Sequence, residues 1–151
     1  MTEPTEPTEP SAGRAPQPEA PGEPAHDPEV LQLAGQVFDL ARQGDTDRLA
    51  AYVDAGVPAD LTNDRGDTLL MLAAYHGNAA TVRALLERGA EADRTNDRGQ
   101  TPLAGAVFKG ARDVIAALVD AGADPAAGTP SAIDTARMFG KADLLALFGA
   151  G

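Results

Sequence analysis

Apolar residues in this chain fall in short clusters with helical spacing, and each cluster stops at a glycine. Leu69, Leu70, Leu72 and Ala73 lie on one side of a helix predicted from Thr68 to His76, which Gly77 ends. Val82, Leu85 and Leu86, apolar at i, i+3 and i+4, predict a second helix from Ala79 to Glu87, which Gly89 ends. The stretch that follows, Ala90 to Gly99, is polar and turn-rich. The plan then recurs. Thr101 to Lys109 predicts a helix, Gly110 its stop, and Arg112 to Asp120 a second helix. Thr68 and Thr101 stand where they can cap the helices they precede. Pro102 sits just inside a helix start, where its missing N–H costs nothing.

The recurrence has a fixed step of 33 in the numbering. Asn63-Asp64-Arg65-Gly66-Asp67-Thr68-Leu69-Leu70 stands one such step before Asn96-Asp97-Arg98-Gly99-Gln100-Thr101-Pro102-Leu103. Gly44, Gly77 and Gly110 keep this step, as do Gly56, Gly89 and Gly122. A constant period of this length marks a stacked array, in which each unit buries its apolar face only against its neighbours. The Asn-Asp-Arg-Gly runs are turn signatures, with Asn and Asp bonding nearby backbone and Gly taking the left-handed position.

The ends vary the plan. Val30 to Arg42 and Thr46 to Asp54 predict a helix pair with no turn segment before it. Ser131 to Phe139 and Lys141 to Phe148 predict another. From Gly110 to Gly140 the step falls to 30, so three positions are missing from the loop around Asp124 to Pro130. Terminal units are expected to differ, because one face meets solvent. The predicted division is residues 1–29, then an array over 30–149 with units at about 30–62, 63–95, 96–128 and 129–149.

These residues resemble an ankyrin repeat array. The family pattern is a D-x-x-G-x-T-P-L-H turn, then L-A-A-x-x-G, a V-x-x-L-L run and G-A-D. Gly66-Asp67-Thr68-Leu69-Leu70-Met71-Leu72-Ala73-Ala74-Tyr75-His76-Gly77 matches it closely, as do Val82, Leu85, Leu86 and Gly89-Ala90. Gly99-Gln100-Thr101-Pro102-Leu103 and Gly122-Ala123-Asp124 add further matches. There are two departures. Met71, Ala104 and Asp134 replace the family's histidine, which ties helix starts to the neighbouring turn, and Leu69 stands where proline is usual. The resemblance implies an all-α solenoid of helix-turn-helix units with short hairpin-like turns. It also implies a non-enzymatic protein-interaction module that binds a partner protein through turn tips and the inner face of the first helices.

The family's variable positions fall on Asp64, Arg65, Asp67, Tyr75 and His76 in the second unit. In the third they fall on Asp97, Arg98, Gln100, Phe108 and Lys109. Arg42, Tyr75, Phe108 and Met138 share one repeat position at steps of 33, 33 and 30. Only six side chains in the chain are Tyr or Phe, so two of them in one row with Met and Arg is informative. These residue types are enriched at the cores of protein interfaces. The alternative is that Tyr75 and Phe108 pack between repeats. Asp64-Arg65 and Asp97-Arg98 are either a polar rim for a partner or solvated turn residues.

Composition divides the chain. Residues 1–29 hold eight of the twelve prolines and seven acidic side chains against Arg14. Six of the eleven net negative charges therefore sit there, and Thr-Glu-Pro repeats three times from Thr2 to Pro10. A segment this polar cannot offset its ordering entropy by burial, and it is expected to be disordered. It offers a competing function, an acidic tail that docks on a basic protein while the array serves as scaffold; its bland reading is a solubilising extension. An acidic chain argues against nucleic acid and anionic lipid as partners. Arg in excess of Lys, with abundant Ala, points to a GC-rich bacterial source.

Enzymatic chemistry finds no foothold. With no cysteine, thiolate catalysis and disulfides are excluded. His26 and His76 are the only histidines, and neither has further ligands at a metal spacing. No phosphate-loop, dinucleotide-binding or serine-hydrolase motif is present. No cofactor is expected. The start of the chain lacks a signal-peptide pattern, and no apolar run approaches the ~20 residues that span a bilayer. A cytoplasmic location is expected, and a monomer, the competing possibility being a homodimer through Leu144, Leu145, Leu147 and Phe148.

Overall fold

A computed structural model describes residues 28–150. Helices lie at α1 (Pro28–Gln43), α2 (Thr46–Asp54), α3 (Leu69–Tyr75), α4 (Ala79–Glu87), α5 (Pro102–Lys109), α6 (Arg112–Asp120), α7 (Ala132–Met138) and α8 (Ala142–Leu147). Among the described residues there is no strand, only isolated bridges between Thr62 and Thr68 and between Gly128 and Ser131. The fold is all-α. The reading of the N-terminal segment as disordered lies, for residues 1–27, outside the described residues. Its last two residues, Pro28 and Glu29, open α1, with proline at a position that needs no amide hydrogen.

The chain divides into two compact units, residues 1–34 and 35–151. The described part of the first is the start of α1, whose residues 28–34 are exposed or half-buried. The second holds the repeats. The helices after α1 are two to three turns long and marginal alone, so packing must hold them. α3, α5 and α7 form one row, each against the next; α2, α4 and α6 form a second. Each inner helix also packs on its own outer helix: α3 on α4, α5 on α6, α7 on α8. Every residue of α3 except Tyr75 is buried. Leu69, Leu70, Leu103 and Leu118 are fully buried, each contributing about 1.5–3 kcal/mol by leaving water.

Local chemistry sets the helix ends. The Thr68 hydroxyl accepts from Met71 N–H at 3.0 Å, and that of Thr101 from Ala104 N–H at 3.1 Å. Ser131 makes a full capping box with Asp134. Gly110 closes α5 at φ +71°, left-handed backbone that side-chain-bearing residues resist. Asn78 reaches across one repeat, its Nδ2 donating to the Ala41 and Arg42 carbonyls at 2.9 and 3.0 Å. It thereby satisfies orphan acceptors at the end of α1.

Candidate functional site

The turns before α3 and α5 are built alike. Asn63 Oδ1 accepts from Arg65 N–H at 2.9 Å and Asp67 N–H at 3.0 Å. Asn96 Oδ1 accepts from Arg98 N–H and Gln100 N–H, both at 3.0 Å. Backbone bonds close each loop, from Asn63 N–H to Asp67 O and from Asn96 N–H to Gln100 O. The tips also touch one another: Asp97 N–H donates to Arg65 O at 3.0 Å. That approach needs a glycine. A Cβ on Gly66 would stand 2.5 Å from Asp97 Oδ1 and 2.9 Å from Asp97 N.

Asp67 and Gln100 hold equivalent positions and take part in one bracing cluster. Asn96 Nδ2 donates to Asp67 Oδ1 at 2.8 Å and to Gln100 Oε1 at 2.9 Å. Asp67 is buried and Gln100 half-buried. The resemblance assigns a tie between helix start and turn to a histidine that this chain lacks; here the Asn96–Asp67 pair joins the second turn to the third.

A groove of about 520 Å³ runs between the tips and the inner helices. Its sides carry Arg42, Arg65, Arg98, Tyr75, His76 and Phe108, and its floor Met71, Leu72, Ala104 and Gly105. Asp67 and Gln100 also line it. Eight of the twelve residues singled out in the sequence therefore meet in one place. The other four do not line it: Asp64, Asp97, Lys109 and Met138, all exposed. Each tip thus turns its Arg to the groove and leaves its first Asp outside.

The aromatic row is partly exposed to solvent and also touches the neighbouring repeats. Tyr75 is 40 % exposed, Phe108 57 % and Met138 66 %. The Lys109 ammonium sits 4.9 Å above the Tyr75 ring, and Phe108 meets Phe139 edge-on at 5.7 Å. Arg42 pairs with Asp39 at 2.8 Å. Among the described residues, the guanidinium groups of Arg65 and Arg98 have no hydrogen-bond or ion-pair partner.

The groove floor is absent from the sequence-derived set. Leu72 and Gly105 keep the repeat step, each one helical turn before Tyr75 and Phe108, so the same period could have found them. A Cβ on Gly105 would lie 3.7 Å from Met71 Sδ and from Tyr75 Cδ1, in ordinary contact with both, so the glycine leaves room beside the Tyr75 ring for no more than a methyl group. Among the described residues, no three His, Asp or Glu side chains group to hold a metal, and no helix is long and apolar enough to cross a membrane.

A family model described as ankyrin repeats (three copies) matches residues 37–128. A putative ankyrin repeat protein of Pseudomonas aeruginosa is 52 % identical over 60 residues, 40 % of this chain and 35 % of that protein. The crystal structure of the human ASB11 ankyrin repeat domain aligns with a TM-score of 0.57 at 29 % identity, over 59 % of this chain and 40 % of that one. The chain thus covers little more than a third of the length of these relatives.

Proposed function

The chain belongs to the ankyrin repeat family, and from that premise we propose that it is a non-catalytic cytoplasmic module that holds a partner protein in the groove. Ankyrin repeats serve in general as protein-interaction modules. The observation that carries the reading here is the placement of exposed apolar side chains. Among the described residues seven large hydrophobic side chains are exposed, and four of them, Tyr75, Phe108, Met138 and Phe139, stand at the ends of α3, α5 and α7. A patch of this kind, rimmed by charged tips, has the composition of a binding surface. Met71, Leu72 and Gly105 supply a floor into which a partner side chain can descend.

Affinity capture from the native host tests this with three baits: the full chain, Tyr75→Ala/Phe108→Ala, and a chain lacking residues 1–27. The expected result is a protein retained by the first and third and lost by the second, with thermal stability of the double variant unchanged. A protein lost only by the truncated bait would instead assign the work to the acidic N-terminal segment. Capture unaffected by either change would reject the groove.

A further inference from the structure

The charge of the groove runs against that of the chain. The sequence carries a net charge of −11, yet the charged lining consists of three arginines and one aspartate. That aspartate, Asp67, is buried and accepts from Asn96, and it forms no ion pair with the groove arginines. Two of the arginines, Arg65 and Arg98, have no side-chain partner among the described residues, and the acidic tip residues Asp64 and Asp97 lie outside the lining. Unpaired guanidinium groups beside exposed rings fit carboxylates on a partly apolar ligand.

Their separation narrows the ligand further. The Arg65 carbonyl is bonded to the Asp97 amide, and Arg98 follows at once. Bonded backbone pairs lie about 5 Å apart at Cα and the next residue adds about 3.8 Å, so the two arginine Cα atoms are at most about 9 Å apart and their long side chains can reach groups at that spacing. A polyproline-type segment has three residues per turn and rises about 3.1 Å per residue, so every third side chain recurs on one edge after about 9 Å. Prolines in such a segment pack against aromatic walls, and Tyr75 and Phe108 both line the groove.

We infer that the groove takes an acidic, proline-bearing extended segment of a partner protein with carboxylates three residues apart, one on Arg65 and one on Arg98. This rests on the groove being the working surface. A protein segment fits better than nucleic acid, because a phosphate backbone would also meet the acidic remainder of the chain.

A suitable probe is a fluorescein-labelled synthetic peptide with Thr-Glu-Pro three times, a pattern this chain itself spells at residues 2–10. Binding is read by fluorescence anisotropy at low and moderate salt. The full chain is used with Glu3, Glu6 and Glu9 changed to Gln, so that its own copy of the pattern does not compete. The expected result is that the Glu peptide binds at least about tenfold tighter than its Gln counterpart, and that Arg65→Gln/Arg98→Gln abolishes this difference without altering the thermal midpoint. Equal binding of the Glu and Gln peptides overturns the acidic specificity and leaves the groove reading intact. Affinity unchanged in Tyr75→Ala/Phe108→Ala removes the groove itself and the inference with it. Absence of binding by any peptide, or tighter binding of a single-stranded oligonucleotide, also overturns it.

Discussion

The loops before α3 and α5 differ from the loop before α7, and the difference separates scaffolding from surface. The first two keep an asparagine that organises the turn, and each projects an arginine over the groove. The third is three positions shorter, replaces the asparagine turn by Gly128-Thr129-Pro130, and has no tip arginine. It still joins its neighbour, with Thr129 N–H bonded to Gly99 O at 2.9 Å. Stacking therefore survives loss of the asparagine turn. Arg65 and Arg98 recur one period apart although their side chains hold nothing in place, so the fold does not account for them.

Gly66 is where a single substitution should cost most. Gly66→Ala combines left-handed backbone with a clash against Asp97 and is expected to cost roughly 3 kcal/mol in urea denaturation. Gly110→Ala has similar φ but no atom within 4 Å, and should cost only about 1–2 kcal/mol. Equal losses would mean that tip-to-tip contact contributes nothing.

Asn96→Ala comes next. It removes both turn bonds and strands the buried Asp67 carboxylate, for an expected loss of about 2–3 kcal/mol. Asn63→Ala removes turn bonds alone and should cost about 1 kcal/mol. The short loop is tested through Ser131→Ala, which loses a capping box for about 1 kcal/mol of thermal stability.

The smallest effect belongs to Asp143, on α8, paired with Arg112 on α6. The hydrogen bond from Arg112 holds the Asp143 carboxyl below its ordinary value. A depressed acid stabilises above its unfolded pKa, and that contribution is lost as pH falls through the folded one. Asp143→Asn should thus lower the thermal midpoint slightly at neutral pH and converge with the parent in acid. Both partners are well exposed, so salt should shrink the gap too.

Much of this was legible because it is local. Apolar spacing and glycine stops mark the eight helices to within a few positions at each end, and both threonine caps precede by three the amides they accept from. Other features depend on side chains about one repeat away. Asp67 reads as an open turn position until Asn96, from the next unit, is stacked beside it. Asn78 reads as an ordinary start for α4, yet its amide serves α1. The sorting of each tip into an inward Arg and an outward Asp is likewise invisible in two adjacent letters.

The tip-to-tip hydrogen bonds have a mechanical consequence. Along the tip edge, successive units are tied by short backbone bonds, Asp97 to Arg65 and Thr129 to Gly99. Along the outer helices, ties include partly exposed ion pairs such as Arg88–Asp54 and Arg112–Asp143. Salt would weaken these ion pairs and leave the tip-edge backbone bonds untouched, so the registration of the two arginine-bearing tips is insulated from ionic strength while the trim of the outer row is not.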